Sequence, residues 1–478
     1  MHRLIALLVA LPASAFAEAR TAATPQELIA AVSQANPGDT ITVTQTFTVD
    51  QKISVTRPGP VTVTASAGAI IAFDTVEGFL VQAPDWTFDG LTIRGVCGND
   101  SDCEHAFHIV GGAERTRVRN SRLINFNAQI KGNGDSGSPR NYPDDVVIEY
   151  NEFFDEAARQ TSNPVTKIDV VGGRRWVVRH NYIHDFAKGQ GNGVSYAAFL
   201  KGNSRDGLFD SNLVVCEQLH SGQTRLGLSF GGGGSAPDSI CEDATCTPEH
   251  QNGTMVNNII ANCGDVGIYL NKASGTRLIN NTVVGTSGID VRFDTSTATV
   301  INNVVQGRIR ERDGGVVSAN TTNLTEIDPS AFFVDYAALN FAGVNVQSLV
   351  DAGTNEPVER DFCGRLRDGT VDIGALEYSL GEPCDTTTAF HQNAENPGGE
   401  DMGMADSGGE VDMGMAGEDT GAVGSDIGIE GADMGAPKPD AGSAVSSGSD
   451  DGCASIEGSP GVLILLGVGL FWRRRLKH

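Results

Sequence analysis

The stretch Trp176-Val177-Val178-Arg179-His180-Asn181-Tyr182-Ile183 contains the phrase on which the fold depends: apolar, two polar residues, asparagine, any residue, apolar. The same phrase occupies residues 146–153 and 207–214 and returns around the asparagines at positions 258, 281 and 303. Degenerate copies place Leu91 and Ser121 at the asparagine position, and from Leu91 onward successive copies are 30, 30, 30, 31, 46, 23 and 22 residues apart. A regular period of this size indicates a solenoid whose coils bury their apolar faces by stacking.

Alternating residues before a glycine or asparagine, as in residues 167–172 and 267–271, predict the strands of this solenoid. A doubly wound α/β domain is the competing parallel-sheet fold, but its crossover connections of roughly a dozen or more residues do not fit short coils. The asparagine at each corner has two expected roles. It tolerates the left-handed backbone of a sharp turn, and stacked amides can form a hydrogen-bonded ladder.

Segments typical of caps lie at both ends of the repeats. Thr24-Pro25-Gln26-Glu27 is a capping box, and it predicts a short amphipathic helix with Leu28, Ile29 and Val32 on its apolar face. With the following Pro37-Gly38-Asp39-Thr40, this segment resembles the N-terminal cap of secreted β-helix enzymes, and residues 350–353 and 372–378 resemble the closing module of bacterial β-helix proteins. Over residues 24–378 the chain therefore resembles right-handed β-helix repeat proteins of the pectate-lyase-like superfamily. The expected fold is all-β: a right-handed single-stranded parallel β-helix with a short N-terminal capping helix.

Residues 1–17 are predicted to be a secretory signal, because a weakly basic start precedes an apolar run and the small-x-small cleavage site Ala15-Phe16-Ala17. We expect an N-terminal cap and first coils over residues 18–84, enlarged coils over 85–315 and a closing module over 316–384. Residues 385–452 hold 15 acidic residues, one lysine and repeats of Asp-Met-Gly, which predicts a disordered acidic linker.

Residues 453–478 are predicted to be a C-terminal anchor. Gly452-Cys453, the apolar run 461–472 and Arg473-Arg474-Arg475 resemble, in this order, the sorting tags of myxobacteria, in which the tail is cleaved and the protein stays on the surface. A plain membrane tail is the alternative. We expect an exported monomer, held at the cell envelope of a Gram-negative bacterium through this anchor or secreted.

Apart from Cys453, eight cysteines form an even set in a chain predicted to be exported. Their spacing suggests the bridges Cys97–Cys103, Cys241–Cys246, Cys363–Cys384 and Cys216–Cys263, although sequence alone leaves the connectivity open. The absence of a CxxC pair argues against a zinc site.

The enlarged coils indicate where a site lies. Coils between Leu91 and Asn212 are 30 or 31 residues long, and the next is 46, against 22–23 for the last two. Stacked insertions would wall a groove along one face, and loops on a rigid scaffold are where functional residues concentrate. Neutral growth of loops is the alternative.

Outward-facing positions predict two columns along this groove. One contains His108, Gln129, Asp169, Phe199, Ser229, Tyr269 and Asp290, and the other contains Val110, Lys131, Val171, Lys201, Gly231, Asn271 and Arg292. Because adjacent coils lie ~4.8 Å apart, Asp169, Lys201 and residues near Arg225 are expected to face one substrate. Residues 166–230 hold eight Lys/Arg against five Asp/Glu, and this basic strip indicates an acidic polysaccharide as partner. The net charge of −26 argues against nucleic acid.

The segment Ala197-Ala198-Phe199-Leu200-Lys201-Gly202-Asn203 resembles the strand that carries the base lysine in alginate and chondroitin lyases of the β-helix type. That family follows with Leu-x-Leu-Arg on the next coil, whereas residues 226–229 here are Leu-Gly-Leu-Ser and Arg225 is displaced toward the strand start. The family's calcium-binding carboxylate pair is also missing, so calcium stays open as a cofactor and no metal ligands are predicted. The resemblance implies Lys201 as the base, with Arg225 as the displaced counterpart of the family's arginine. Positions along the predicted groove and its basic strip add Asp169 and His220 to the catalytic group, and they give Lys131, His108, Arg205, Tyr269 and Arg292 as substrate-binding residues.

Other enzyme families match less well. The Gly-His-Gly and Arg-Ile-Lys motifs of polygalacturonases do not occur, nor does the Arg-x-x-Pro-x-x-Arg motif of one group of pectate lyases. A glycosidase would need two carboxylates ~5–9 Å apart, for which Asp169 with Asp185 or Glu152 are candidates. Two hypotheses remain: a surface-tethered lyase that cleaves an acidic (uronate) polysaccharide by β-elimination, and a non-catalytic glycan-binding or adhesin-like solenoid.

Overall fold

A computed structural model describes residues 17–235, 237–367, 369–381, 384 and 386. The predicted secretory signal before residue 17, nearly all of the predicted acidic linker and the predicted C-terminal anchor lie outside these residues. Among the helices of the described part, none combines the length and the apolar composition needed to cross a membrane.

Three long parallel sheets run along the solenoid, and each full coil contributes one strand to each sheet. Sheet I contains, in spatial order, Ala19–Ala22, Thr40–Val43, Val61–Ala65, Trp86–Asp89, Arg117–Arg119, Val147–Glu149, Val177–Arg179, Leu208–Asp210, Thr254–Val256, Thr276–Ile279, Thr297–Ile301 and Val316–Thr321. Sheet II contains Phe47–Val49, Ile70–Phe73, Thr92–Gly95, Arg122–Ile124, Glu152–Phe154, Tyr182–His184, Leu213–Val215, Ile259–Ala261, Thr282–Val284, Val304–Val305 and Leu324–Thr325. Sheet III contains Ile53–Val55, Glu77–Val81, His105–Val110, Ala128–Asn133, Val165–Val171, Val194–Lys201, Thr224–Phe230, Ile268–Asn271, Gly288–Arg292 and Arg308–Arg312. The predicted parallel β-helix is therefore confirmed.

Smaller elements decorate this body. A short parallel sheet is formed by Ser204–Arg205, His250–Gln251 and Ala273–Ser274, and an antiparallel pair is formed by Phe333–Asp335 and Asn340–Gly343. The helical segments are Pro25–Ser33, Pro237–Ile240 and the 3₁₀ turns Asp100–Asp102, Pro329–Ala331 and Tyr336–Ala338.

The N-terminal helix Pro25–Ser33 forms as the capping box predicts. The Thr24 hydroxyl accepts a hydrogen bond from the Glu27 main-chain N–H at 3.3 Å, and the Glu27 carboxylate accepts one from the Ala23 N–H at 2.7 Å. Leu28 and Val32 are buried against the solenoid core. These contacts satisfy N–H groups that a helix start otherwise leaves without partners.

The predicted asparagine ladder is present inside the corner between sheets I and II. From Asn181 onward, each carboxamide oxygen accepts hydrogen bonds from the main-chain N–H and the amide group of the asparagine one coil earlier, at 2.8–3.1 Å. Its members are Asn151, Asn181, Asn212, Asn258, Asn281, Asn303 and Asn323. Ser121 and Leu91 occupy the same position on earlier coils, as predicted, because the Ser121 N–H donates to Asn151 and the Leu91 N–H donates to the Ser121 hydroxyl.

The ladder asparagines do not supply the left-handed backbone, and that expectation was wrong. The residue immediately before each of them, and before Ser121, has the positive φ: Asn120, Tyr150, His180, Ser211, Asn257, Asn280, Asn302 and Thr322. The corner turns one residue earlier because the asparagine side chain must point inward, where its amide finds buried main-chain partners.

Sheet I carries a ladder of alternating charge on its outer face. Asp89, Arg119, Glu149, Arg179 and Asp210 occupy one register position on successive coils. Arg119 Nε lies 3.0 Å from the Asp89 carboxylate, and Arg179 Nε lies 2.8 Å from that of Glu149. Cross-strand pairs of opposite charge favour this coil-to-coil register.

The C-terminal segment covers the side of the solenoid at sheet II. Outward-facing apolar residues of that sheet pack against Phe333, Phe341, Leu349, Phe362 and Leu376; they include Leu213, Ile259, Val284 and Val304. This contact explains why sheet II is apolar on both faces at its C-terminal coils.

The described cysteines form the bridges Cys97–Cys103, Cys216–Cys263, Cys241–Cys246 and Cys363–Cys384. All four suggested pairings are confirmed. The third bridge lies in the largest insertion, and the fourth closes the C-terminal segment.

Candidate substrate cleft

A cleft of about 370 Å³ lies over sheet III, across the strands from Ala128–Asn133 to Gly288–Arg292. Part of its wall is the main chain of the largest insertion, at Gly232, Gly233 and Gly234. Among the described residues, the lining includes five cationic side chains, one carboxylate and four aromatic rings: Lys131, Lys188, Lys201, Lys272, Arg292, Asp169, Tyr196, Phe199, Tyr269 and Phe293. Convergent charged and aromatic groups in a concave site are typical of ligand binding.

Contacts between insertions hold the wall in place. The Tyr142 hydroxyl donates a hydrogen bond to the Ile240 carbonyl oxygen at 2.9 Å. The Glu242 carboxylate accepts from Arg174 at 2.6 Å and from Arg205 at 3.0 Å. Arg205, predicted to bind substrate, is therefore bonded to this insertion and is not among the residues that line the cleft.

Lys201, the candidate base, lies inside the cleft at the end of the strand Val194–Lys201. Its Nζ donates a hydrogen bond to the Gly233 carbonyl oxygen at 2.9 Å and lies 4.7 Å from the centre of the Phe199 ring. A carbonyl oxygen and the face of an aromatic ring both attract a positive charge. These contacts suit an ammonium group and fix its position beside the glycine wall.

Asp169 and Lys131 form a direct ion pair, with Lys131 Nζ 3.0 Å from the Asp169 carboxylate. The structure pairs His108 with Lys131 and Lys131 with Asp169, so the predicted columns were wrong by two residues on this strand, where they placed Gln129. A shift of two residues keeps every side chain on its face, and alternation gives no signal of it. Burial alone would raise the pKa of Asp169, but the nearby lysines outweigh it and hold that pKa below its usual range.

The far end of the cleft brings Tyr269 and Arg292 together, as predicted. Arg292 Nη1 lies 3.3 Å from the Tyr269 hydroxyl, and the guanidinium lies 4.6 Å from the centre of the Phe293 ring. Burial raises the pKa of Tyr269 above its usual range. Asn271 is the register partner of Arg292, its side-chain amide donates to the Tyr269 hydroxyl at 3.5 Å, and its buried carboxamide oxygen has no hydrogen-bond partner among the described residues.

The sequence did not identify Tyr196, Lys188, Lys272 or Phe293 as lining residues. In the strand Val194–Lys201 the adjacent Ala197 and Ala198 are both buried, so the outward positions change parity between Tyr196 and Phe199. Simple alternation therefore misses Tyr196. Lys272 and Phe293 each directly follow the last residue of a sheet III strand, a position the column prediction did not extend to.

Arg225 lies away from the cleft lining. Its buried guanidinium donates to the carbonyl oxygens of Cys216 at 2.5 Å, Gly222 at 2.9 Å and His220 at 3.0 Å. His220 lies beside the Arg225 guanidinium, and the Nε2 atom of its ring is 3.2 Å from the Asp155 carbonyl oxygen. The expected grouping of Arg225 and His220 with the cleft residues is therefore not found, because the loop after Cys216 folds back and binds Arg225 itself.

His108 lies one coil before Lys131, outside the cleft lining. Its ring nitrogens are 2.6 Å from the Glu77 carboxylate and 2.6 Å from the Asn133 side-chain oxygen. The hydrogen bond from His108 is the main reason that the pKa of Glu77 lies at about 2. His108 thus joins neighbouring coils of sheet III at the edge of the site.

A buried ion pair lies at the corner between sheets II and III. Lys167 Nζ is 2.6 Å from the Asp155 carboxylate and 2.7 Å from the Phe126 carbonyl oxygen, and both charged side chains are fully buried. Burial raises the pKa of Asp155 and lowers that of Lys167 to about 8. This pair is not part of the cleft lining and has a structural role.

The donor set of the cleft does not fit calcium. In the part of the chain that the structure describes, no group of three or more His, Cys, Asp or Glu side chains is placed to hold a metal ion. Calcium takes about six to eight oxygen ligands, whereas Asp169 is the one carboxylate in the described lining and is bonded to Lys131. No chemical step is therefore assigned to calcium.

Comparison with protein-family models agrees with the fold. Residues 79–305 match the family model described as right handed beta helix region, and no curated protein matches the sequence. Among solved structures, the chain is similar to the pectate lyase Pel9A, with 14% identity, a TM-score of 0.48 and coverage of 76% of this chain and 97% of that one. It is also similar to a PL6 family polysaccharide lyase from Pseudopedobacter saltans (12% identity, TM-score 0.33, coverage 74% and 99%). The surface protein and adhesin PfbA of Streptococcus pneumoniae is a third similar structure (10% identity, TM-score 0.36, coverage 63% and 95%).

Proposed function

We propose that the cleft binds a stretch of acidic polysaccharide and that the protein cleaves a uronate polymer by β-elimination. The observation that carries the proposal is the composition of the described lining, with five cationic side chains against one carboxylate and four aromatic rings between them. Cations attract the carboxylates of such a polymer, and aromatic faces offer apolar surface to sugar rings. The contrast with the net charge of −26 for the whole chain makes the basic cleft a local feature.

β-Elimination needs a base that removes the proton next to the uronate carboxylate and an acid that protonates the leaving glycosidic oxygen. The carbon–hydrogen electron pair forms the new double bond as the carbon–oxygen bond breaks. Lys201 is the candidate base because its Nζ lies in the cleft beside Phe199. To accept the proton it must first lose its own and turn from the Gly233 carbonyl toward the substrate.

Tyr269 is the candidate acid, in place of His220. Its phenol carries a proton at neutral pH, and Arg292 at 3.3 Å would stabilise the phenolate that forms when the proton is given away. Strand register places Tyr269 two coils from Phe199, with the small Ser229 between them, which corresponds to ~10 Å along the axis. A sugar between the two rings would have Lys201 on one side and Tyr269 on the other.

A non-catalytic glycan-binding or adhesin-like solenoid is the second candidate. It is favoured by the contacts of Lys201, whose Nζ is bonded to a carbonyl oxygen and lies over an aromatic ring as a bound cation would. In this case the cleft holds the polymer without cleaving it.

Export and attachment to the cell envelope belong to the same proposal. They are supported by the secretory pattern of residues 1–17 and by the Gly-Cys, apolar run and arginine cluster near the C-terminus. Four disulfides suit an oxidising compartment. Surface labelling of intact cells should detect the protein, and its recovery solely from the cytosol would contradict this part of the proposal.

The test of the chemistry is to incubate the purified chain with alginate, polygalacturonate, chondroitin and bacterial exopolysaccharide, each with and without calcium. Ultraviolet absorbance reports the unsaturated uronate product. We expect the absorbance to rise with at least one polymer. The rise should be lost in Lys201→Ala and kept in Lys52→Ala, a matched change of an exposed lysine outside the cleft. Binding without a rise would favour the second candidate, and neither binding nor a rise would contradict both.

A further inference from the structure

We infer that the acidic segment 385–452 of this same chain binds in the cleft and competes with acidic polysaccharide for it. The inference uses the cleft described above but does not depend on catalysis there. It concerns what occupies the site when no polymer is present.

The charge of the segment is complementary to the cleft. Residues 385–452 hold 15 acidic residues and one lysine, and the rest of the chain is itself net negative. An acidic segment is therefore repelled by most of the body and attracted to a concave surface where cations outnumber carboxylates by five to one among the described lining residues. The cleft is thus the favoured position for the segment.

The composition of the segment also matches the pairing of groups in the cleft. It repeats Asp-Met-Gly at Asp401, Asp412 and Asp433. In the cleft, cationic side chains lie over aromatic rings, with Lys201 Nζ 4.7 Å from the Phe199 ring centre and the Arg292 guanidinium 4.6 Å from that of Phe293. An aspartate can bind the cation while the neighbouring methionine sulfur contacts the ring, at ~5 Å from its centre. A segment with methionines but no acidic residues would contact only the aromatic rings. A segment with acidic residues but no methionines would contact only the cations.

The segment begins on the C-terminal module, which packs against sheet II of the solenoid. The last described residue, Thr386, donates its hydroxyl hydrogen to the Leu339 carbonyl oxygen on the C-terminal module. A chain of 26 residues, the separation of Asp412 from Thr386, has an end-to-end distance of ~30 Å when it behaves as a random coil. A tether to the same molecule raises the local concentration of the repeats near the body, so even a weak contact would compete with polymer.

The first test compares full-length variants for binding of polygalacturonate and alginate. One variant neutralises four acidic residues in and between the first two repeats: Asp401→Asn, Asp406→Asn, Glu410→Gln and Asp412→Asn. The matched control neutralises the same number elsewhere in the segment: Asp385→Asn, Asp440→Asn, Asp450→Asn and Asp451→Asn. We expect the repeat variant to bind polymer about three- to tenfold more tightly than wild type at low salt, and the control to change by less than about twofold.

A second measurement uses a fluorescent peptide of residues 398–416, which contains the first two repeats, added to the repeat variant. Fluorescence anisotropy should show binding that is lost when Lys201→Ala and Arg292→Ala are added and kept when Lys52→Ala is added. Equal effects of the repeat and control variants, or no binding of the peptide, would overturn the inference. If the protein still binds polymer in that case, the proposed function stands. Binding of the peptide without binding of any polymer would support the inference and contradict the proposed function.

Discussion

Replacing Asn181 by alanine tests how much one step of the asparagine ladder contributes to stability. Asn181 is fully buried; its side-chain oxygen accepts from the Asn151 main-chain N–H at 3.0 Å, and its amide donates to the Ile148 carbonyl oxygen at 2.8 Å and to Asn212 at 3.0 Å. An orphaned buried N–H costs ~1–3 kcal/mol and each lost hydrogen bond ~0.5–1.5 kcal/mol. We therefore expect Asn181→Ala to lower the free energy of unfolding by about 3 kcal/mol.

Equilibrium urea unfolding followed by far-ultraviolet circular dichroism measures this change. Asn355→Ala is the matched control, because Asn355 is exposed, and it should change the free energy by less than ~0.5 kcal/mol. Asn181→Ser should lie between the two, since Ser121 already fills this position on an earlier coil and accepts from the Leu91 N–H. A value for Asn181→Ala indistinguishable from the Asn355 control would refute the argument that the ladder stabilises the corner.

Three further perturbations test other contacts. Lys167→Met leaves the buried Asp155 carboxylate without its cation and should lower the free energy of unfolding in urea by ~3–5 kcal/mol. Adding Asp155→Leu should recover most of this loss, and no recovery would contradict a stabilising ion pair. The pKa of Glu77 is lowered from 4.5 to about 2 in the folded protein, so it contributes stability above pH 4.5 that is lost as pH falls toward 2. His108→Gln should flatten the pH dependence of unfolding in that window, and an unchanged profile would count against the contact. Arg119→Glu places like charges along the sheet I ladder and should destabilise by ~1 kcal/mol at low salt, less at high salt; a salt-independent effect would show that the charges are not responsible.

The spacing of the asparagines was sufficient to predict the solenoid, the ladder and even its degenerate members. The chemistry of the side chain explains this success, because a buried amide needs partners at a fixed interval and stacked coils supply them. The left-handed residue could not be assigned in the same way. Asn257, Asn280 and Asn302 hold that conformation and are of a residue type that favours it, but Tyr150 and Ser211 hold it on other coils, so residue type marks the position on only part of the coils.

The site was predicted less completely, for reasons that lie in tertiary structure. Lys201, Asp169, Tyr269 and Arg292 line one cleft as expected. Arg225 does not, because the loop that follows Cys216 supplies carbonyl oxygens to its guanidinium, and loop conformation is not encoded in strand alternation. The covering of sheet II by the C-terminal segment was likewise not predicted, although the apolar outward positions of that sheet were a signal for it.

The most direct measurement of the central claim is a crystal structure of the protein with a uronate oligosaccharide. We expect electron density for sugar rings in the cleft between Phe199 and Tyr269, with carboxylates in contact with Lys201 or Arg292. Ordered sugar on another face, with this cleft empty at a saturating concentration of oligosaccharide, would contradict it.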